Sequence, residues 1–277
     1  MTEQEFIQYL YYKNTKCSLS FPDRELATDF IDELFEFLFL PKIKKPSATE
    51  FQKQFDGLKN HFQTLVYAVV SDSQQADKNS NIFFNALPHL YHQLMKDAEA
   101  IVRFDPAAQS VEEVLLAYPG FYATAVYRIS HQLYQQKINI LPRLFTEYAH
   151  SKTGIDIHPA ATIGESFFID HGTGIVIGET TLIGNNVKIY QSVTLGALNV
   201  AKELAKTKRH PTIEDNVIIY SGATILGGDT VIGHDSVIGG NVWLTNSVLP
   251  YSVVYHRSEI AVKDKFPSTE PILNFVI

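Results

Sequence analysis

The sequence predicts an α+β protein in which an all-α N-terminal domain is followed by a parallel β-helix of hexapeptide repeats. Two observations predict this fold class: apolar residues recur every three or four positions in the first half of the chain, and every six positions in much of the second half. We therefore expect a helical, oligomerising domain over residues 1–153, a β-helix over 154–250 and a C-terminal tail over 251–277.

The helical prediction depends on start signals that are followed by apolar stripes. Ser47 and Glu50 have the spacing of a capping box, and Ser110 and Glu113 repeat that spacing. After the first pair, apolar side chains recur with the period of an amphipathic helix, at Phe51, Phe55, Leu58, Phe62, Leu65 and Val69. We interpret such stripes as helix–helix contacts.

The β-helix prediction depends on one aliphatic residue in every six. These residues are Ile157, Ile163, Ile169, Ile177, Ile183, Ile189, Leu195, Ile213, Ile219, Ile225, Ile232, Ile238 and Leu244. Neither an amphipathic helix nor simple strand alternation has this period. Each hexapeptide would supply one short strand and one turn, and stacked coils would bury aliphatic ladders that no single repeat can bury alone.

Two interruptions of the repeat mark candidate functional segments. Ile169 and Ile177 are eight residues apart, so two extra residues must bulge near Asp170 and His171. Residues 196–210 do not fit the repeat and predict a polar, lysine-rich loop. Irregular segments of a regular solenoid are where functional side chains are expected.

Composition and charge argue against several classes of protein. The 277-residue chain has a net charge of −7, which disfavours a broad nucleic-acid surface but allows a local basic patch for small anions. The single cysteine, Cys17, cannot form an internal disulfide, so we expect a cytoplasmic protein. Neither a secretory signal nor an apolar run long enough to span a bilayer is visible.

Several short motifs occur within and just before the repeat. They are RFDPA at 103–107, DIHPAA at 156–161, DHGTG at 170–174, IGET at 177–180, QSVTLG at 191–196 and RHP at 209–211. Together they resemble the serine O-acetyltransferases, which begin the bacterial and plant cysteine pathway, over about residues 100–245. The resemblance implies a left-handed coil and a homotrimer with active sites between neighbouring prisms, often doubled to a hexamer through the helical domains.

The resemblance also implies transfer of an acetyl group from acetyl-CoA, a co-substrate, to the hydroxyl of L-serine, with no permanently bound cofactor and no metal. That hydroxyl is a poor nucleophile at neutral pH, and histidine titrates in the right range to act as its general base. His171, on the bulge, is the candidate base. The resemblance assigns Asp156 to orient its imidazole. Taken alone, Asp156 fits a polar corner of the coil equally well, and an isolated histidine at position 171 fits such a corner better than a catalytic role; the bulge, the neighbouring Asp170 and the resemblance favour the catalytic role.

Serine is a zwitterion, so a selective site needs opposite charges close together. We expect Arg209, with His210, to hold the carboxylate, because a guanidinium fork matches its geometry. Asp105 and Asp170 are expected to receive the ammonium group. The alternatives are that Asp105 and His210 belong to turns before proline, and that Arg209 belongs to a solvated loop.

Acetyl-CoA needs a groove for its pantetheine arm and cations for its phosphates. Small residues at the family's positions are the candidates for the groove: Gly196, Ala197, Ser221, Gly222, Ala223 and Gly240. The backbone at Gly196 and Ala197 is also a candidate donor to the developing oxyanion. The phosphate candidates, which fit a solvated loop equally well, are Lys202, Lys206 and Lys208.

The chain departs from the family pattern in two places that bear on the acetyl-CoA contacts. The loop before Arg209 is lysine-rich and longer than the glycine-rich version of many members, and Val254–Ser258 replaces the usual turn after the last coil. The chain ends at Ile277, and many members insert a C-terminal isoleucine into O-acetylserine sulfhydrylase. We expect the same partner here, with a tail packed on its own domain as the alternative. The resemblance further implies inhibition by L-cysteine.

Three other functions fit parts of the sequence. A hexapeptide acyltransferase for another acceptor, such as homoserine, a sugar or a drug, would share the repeat. A zinc enzyme of the γ-carbonic-anhydrase kind needs three converging histidines, and the β-helix histidines lack the close paired spacing expected there: His158, His171, His210 and His234. A catalytically silent scaffold that binds metabolic enzymes is the third.

Overall fold

The computed structural model describes residues 1–16, 21–40, 45–198 and 207–257, which are helical first and β-stranded afterwards. The helices are α1 (Glu3–Lys16), α2 (Arg24–Phe39), α3 (Ala48–Val70), α4 (Ser73–Phe104), α5 (Val111–Ala117), α6 (Pro119–Gln135) and α7 (Leu141–Thr153). Not one of these described helices has the length and apolar character needed to cross a membrane. The predicted all-α N-terminal region is confirmed.

The predicted capping boxes differ from each other in the structure. The Ser47 hydroxyl accepts the backbone N–H of Glu50 at 3.3 Å, and the Glu50 carboxylate accepts the backbone N–H of Ser47 at 2.7 Å, so the first box is complete. The Ser110 hydroxyl also accepts the backbone N–H of Glu113, at 3.2 Å. The Glu113 carboxylate, however, accepts the backbone N–H of Gln109 at 2.7 Å. The spacing predicts both helix starts correctly, but the reciprocal bond is formed at the first.

Short parallel strands form the three faces of a triangular prism. The strands are β1 (Asp156–Ile157), β2 (Thr162–Ile163), β3 (Phe168–Asp170), β4 (Val176–Ile177), β5 (Leu182–Ile183), β6 (Lys188–Tyr190), β7 (Thr194–Gly196), β8 (Thr212–Ile213), β9 (Ile218–Ile219), β10 (Thr224–Leu226), β11 (Val231–Ile232), β12 (Val237–Ile238), β13 (Trp243–Leu244) and β14 (Val253–Val254). The first face has the order β1-β4-β7-β10-β13, the second β2-β5-β8-β11 and the third β3-β6-β9-β12-β14. The last described coil includes Val253 and Val254, which the sequence assigns to the tail.

The predicted aliphatic period builds the ladders inside the prism. On the first face, Ile157 pairs with Ile177, Ile177 with Leu195, and Leu195 with Ile225. Every predicted aliphatic position is buried in one continuous core except Leu244, which is partly buried. Full burial of one such side chain contributes about 1.5–3 kcal/mol, so the ladders are a principal source of stability for the coils.

Two edges of the prism are important for the candidate site. The His171 edge consists of the turns from the third face to the first, at residues 171–175, 191–193, 220–223 and 239–242. The His210 edge consists of the turns from the first face to the second, at 158–161, 178–181, 197–211 and 227–230, of which 199–206 lie outside the described residues. The turn at 171–175 is two residues longer than the turn at 191–193, which confirms the predicted bulge.

A buried ion pair attaches the helical domain to the first coil. The Arg128 guanidinium donates to the Asp97 carboxylate at 2.6 and 2.9 Å, and to the backbone carbonyls of Ile163 and Gly164 at 3.1 and 2.7 Å. Asp97 also accepts the backbone N–H of Phe167 at 2.8 Å. The attraction within a buried charge pair offsets the cost of removing the two charges from water only when the geometry is good and the remaining hydrogen-bonding groups are satisfied. This pair meets both conditions and fixes α4 and α6 against the β-helix.

Candidate active site

Thr180 organises the His210 edge. Its hydroxyl accepts the backbone N–H groups of Arg209 and His210 at 2.9 and 3.0 Å, and lies 2.9 Å from Nδ1 of His210. The backbone N–H of Thr180 donates to the same Nδ1 at 3.1 Å. Because Nδ1 is the acceptor, a neutral His210 carries its proton on Nε2. Gly178 packs so closely on this ring that a Cβ there would overlap it.

His210 is a neutral hydrogen-bond donor at neutral pH. Its side chain is buried, and burial, assisted by the positive charge of Arg209, lowers its pKa to about 4. The Arg209 guanidinium is ion-paired with the Glu179 carboxylate, which orients it. The edge therefore presents one oriented cation and one neutral N–H donor, a combination suited to a carboxylate ligand.

A cleft of about 500 Å³ lies at this edge. Its polar lining consists of Arg143, Asp156, His158, Glu179, Arg209 and His210. Asp156 begins β1 and its carboxylate Oδ1 lies 4.0 Å from Nη1 of Arg143. Burial lowers the pKa of His158, with a further contribution from the charge of Arg143.

His171 lies in the bulge of the other edge, in left-handed backbone geometry with a φ of 58°. Its imidazole is 71% exposed, and its Nδ1 lies 3.6 Å from Oδ1 of Asp170, beyond hydrogen-bond distance. The carboxylate of Asp170 thus lies beside His171, whereas the carboxylate of Asp156 is ion-paired with Arg143. The pairing of Asp156 with His171 stays a prediction.

Asp105 joins this second group from the end of α4. Its carboxylate accepts the backbone N–H of Ala107 at 2.8 Å and the phenol O–H of Tyr118 at 2.7 Å. The hydrogen bond to Asp105 raises the pKa of Tyr118 to about 12, and the negative charge of Asp170 contributes to that shift. Asp105, Asp170 and His171, which the sequence assigns to one site, therefore lie in one neighbourhood.

The predicted acetyl-CoA residues are divided between the two edges. Ser221, Gly222, Ala223 and Gly240 belong to successive turns of the His171 edge. A Cβ on Gly240 would lie 3.1 Å from the Ser221 carbonyl oxygen, so small residues keep these turns close together. At the start of the His210 edge, Gly196 accepts the backbone N–H of Gly227 at 3.1 Å, and Ala197 follows it. Of the phosphate candidates, Lys208 donates to the His210 carbonyl, while Lys202 and Lys206 lie outside the described residues.

The described histidines do not form the three-histidine zinc site that an enzyme of the γ-carbonic-anhydrase kind would need. His158 and His210 share the cleft, whereas His171 and His234 lie on other edges of the prism. Among the described residues, Glu147, His150 and Asp156 bring possible metal-ligand atoms within 4.8 Å of one another. The Arg143 guanidinium already provides positive charge beside it.

Comparison of the sequence with those of known proteins shows the family of the chain. The plasmid serine acetyltransferase of Synechococcus elongatus is 52% identical over 181 residues, covering 64% of this chain and 56% of that protein. The serine acetyltransferase of Staphylococcus xylosus is 46% identical over 162 residues, covering 58% of this chain and 73% of that protein. The chain belongs to the serine acetyltransferase family.

The likeness to serine acetyltransferases extends to the helical domain. The crystal structure of serine acetyltransferase 1 from Entamoeba histolytica in complex with L-cysteine superposes with a TM-score of 0.75 and 37% identity, over 85% of this chain and 87% of that chain. The predicted left-handed sense of the β-helix is confirmed. No family model matches the chain, and it spans little more than half the length of the Synechococcus relative.

The sequence predictions omit three residues that line this cleft. His158 and Glu179 lie within the DIHPAA and IGET motifs, so these motifs contained a usable signal. Arg143 lies on α7, outside every motif, and reaches the cleft because α7 packs beside β1. No pattern in the sequence points to it.

Proposed function

We propose that this chain transfers the acetyl group of acetyl-CoA to the hydroxyl of L-serine and so serves cysteine biosynthesis. The observation that supports the proposal is the distribution of charged groups over two edges of the β-helix, in a chain that belongs to the serine acetyltransferase family. A guanidinium and a neutral imidazole lie at the His210 edge, while two carboxylates and an exposed imidazole lie at the His171 edge. Together these groups suit a small zwitterion that also offers a hydroxyl.

Arg209 and His210 would bind the serine carboxylate. Glu179 orients the guanidinium, and Thr180 leaves Nε2–H of His210 as the donor. Because His210 is neutral, it adds a hydrogen bond without a second positive charge that would repel the ammonium group. Asp105 and Asp170 would receive that ammonium, and the Tyr118 phenol orients Asp105.

His171 would act as the general base. It takes the proton of the serine hydroxyl as the serine oxygen attacks the thioester carbonyl carbon, with Asp156 orienting the imidazole. When the tetrahedral intermediate collapses, the carbon–sulfur bond breaks and the proton passes from the imidazolium to the departing CoA thiolate. The products are O-acetyl-L-serine and CoA. Such general-base catalysis typically contributes about 10²–10⁴-fold in rate.

A homotrimer would complete the site. Within the described chain His171 lies at one edge and Arg209 with His210 at the other, and these two edges flank the first face. If the His210 edge of one copy packs near the His171 edge of another, both groups face one substrate. Co-expression of H171A with R209Q tests this, because intact sites form in mixed trimers when the two residues come from different copies. Activity no higher than that of either variant alone would place both residues in one chain.

Acetyl-CoA, the co-substrate, would extend along the His171 edge past Ser221, Gly222, Ala223 and Gly240. Gly196 and Ala197 would meet its thioester end from the other margin of the first face. Their backbone N–H groups are the proposed donors to the oxyanion.

Thiol release from acetyl-CoA tests the reaction. We expect release with L-serine, little with L-homoserine or sugar acceptors, and a loss of about 10²–10⁴-fold in H171A. A preference for another acceptor would favour the rival hexapeptide acyltransferase. Full activity of H171A would favour the silent scaffold.

L-cysteine, which is also a zwitterion, would inhibit by occupying the proposed serine site between Arg209 and His210 on one side and Asp105 and Asp170 on the other. The Entamoeba serine acetyltransferase was crystallised in complex with L-cysteine, and it covers most of this chain. We expect inhibition competitive with L-serine, weakened in R209Q. Inhibition that L-serine does not relieve would place cysteine elsewhere.

Ile277 would connect the enzyme to O-acetylserine sulfhydrylase in the cytoplasm. Residues 258–277 lie outside the described part, so this proposal depends on the family pattern of a C-terminal isoleucine. Deletion of Ile277 should abolish co-purification with the sulfhydrylase, and unchanged binding would refute it.

A further inference from the structure

Arg143 reaches the cleft from the helical domain. Its guanidinium is ion-paired with Glu147 on the same helix, and its Nη1 lies 4.0 Å from Oδ1 of Asp156 on β1. The Asp156 side chain is 25% exposed, whereas that of Arg143 is 45% exposed. One guanidinium therefore spans a carboxylate of the helical domain and a carboxylate of the β-helix.

The other charged groups around Asp156 do not replace this contact. From α7, Glu147 and His150 approach it, with His150 Nδ1 3.4 Å from Glu147 Oε2. From the β-helix, the cleft adds His158, Glu179, Arg209 and His210. Arg209 is already paired with Glu179. If Arg143 were absent, the carboxylates of Asp156 and Glu147 would face each other without the guanidinium that now bridges them, and like charges at this range repel.

The same guanidinium acts on His158. The backbone N–H of Ala160 donates to Nδ1 of His158 at 3.1 Å, so the neutral ring carries its proton on Nε2. Burial lowers the pKa of His158, and the charge of Arg143 lowers it further. Arg143 thereby helps to keep His158 a neutral donor in the cleft.

We propose that Arg143 is a positioning residue, which holds the Asp156 carboxylate at the cleft and exchanges no proton itself. The inference depends on the proposed acetyltransferase function, because in that function Asp156 orients the imidazole of His171. It adds a residue of the helical domain to a site that the motifs place almost wholly on the β-helix.

The decisive variant is R143Q. We expect kcat to fall about tenfold, because a small misplacement of a catalytic group is costly, while the KM for L-serine changes less than about threefold. In an NMR titration the pKa of His158 should rise. R143K keeps the charge but cannot span two carboxylates with a planar fork, so it should restore the His158 titration and recover kcat in part.

Lys152 provides the matched control. It lies on the same helix, its side chain is 42% exposed, and its ammonium lies 2.9 Å from the Asp32 carboxylate, away from the cleft. K152Q should keep the wild-type kcat and His158 titration, even if it lowers the thermal midpoint.

Two results would overturn the proposal: wild-type kcat and His158 titration in R143Q, or equal losses of kcat in R143Q and K152Q. An inactive wild-type protein would instead remove the acetyltransferase proposal. The His158 titration would still show whether Arg143 acts in the cleft.

Discussion

The Thr180 hydroxyl lies 2.9 Å from Nδ1 of His210 and accepts the backbone N–H of the same residue at 3.0 Å. The Thr180 side chain therefore fixes the position of the imidazole, while the Thr180 backbone N–H, which donates to the same Nδ1 at 3.1 Å, leaves the proton on Nε2. Because Thr180 also accepts the Arg209 N–H, it governs both proposed ligands of the serine carboxylate.

The first prediction concerns T180V. Valine has nearly the same shape but leaves the two N–H groups without their acceptor, at a cost of about 1–3 kcal/mol each where they are buried. We expect the KM for L-serine to rise about tenfold and the thermal midpoint to fall. T162V, at an exposed position on the second face, is the control and should change neither quantity. An unchanged KM in T180V would show that Thr180 does not position Arg209 and His210 for substrate binding.

The second prediction concerns Gly178. An alanine Cβ there would overlap the His210 ring, so G178A should displace the imidazole, raise the KM for L-serine and lower the thermal midpoint. The control is G57A, because a Cβ at Gly57 in α3 meets open space. G57A should stabilise the helix by about 1 kcal/mol. Wild-type kinetics in G178A would contradict the packing described here.

The third prediction concerns pH. The pKa of His210 falls from 6.5 to about 4 on folding, so between these values the unfolded chain binds a proton that the folded chain does not. The free energy of unfolding therefore falls as the pH falls through this window, and the contribution is fully present above pH 6.5. The slope is roughly 1 kcal/mol per pH unit. Urea denaturation at several pH values should show a shallower decline in H210Q.

H234Q is the control for the pH series, because His234 is partly exposed and lies on another edge. It should keep the wild-type slope. The same slope in wild type, H210Q and H234Q would mean that His210 does not titrate abnormally.

The fourth prediction concerns Asp105, one of the two proposed acceptors of the serine ammonium group. Y118F removes the phenol that donates to Asp105 at 2.7 Å, so Asp105 should become less well oriented. We expect the KM for L-serine to rise about fivefold with little change in kcat, since a hydrogen bond to a charged group contributes about 1.5–3 kcal/mol and solvent replaces part of it. Y134F, at an exposed tyrosine of α6, should have wild-type kinetics. A fall in kcat alone would assign Asp105 a different role.

The sequence predicts the β-helix well because one aliphatic residue per hexapeptide is a local rule. Ile157, Ile177 and Leu195 follow it and form one ladder. The bulge at His171 is predictable for the same reason, since two extra residues must leave a regular coil.

The contribution of the helical domain to the cleft is not predictable in this way. Arg143 meets Asp156 because helices pack against the first coil, and that packing depends on long-range contacts such as Arg128 with Asp97. The predicted helical domain over residues 1–153 includes α7, but the sequence does not indicate which strand this helix approaches. Likewise, His171 lies at a different edge of the prism from Arg209 and His210 because of the way in which the coils stack, which the local repeat does not show.

The buried pair of Arg128 and Asp97 has a consequence for how this molecule can change. Tyr118, Asp105 and Arg143 all belong to the half of the chain that this pair anchors. A chimera that exchanged that half for an unrelated one would inherit every coil but would lose the Tyr118–Asp105 hydrogen bond and the Arg143–Asp156 contact. In the proposed reaction, substrate choice would therefore depend on the helical half of the chain as well as on the repeats.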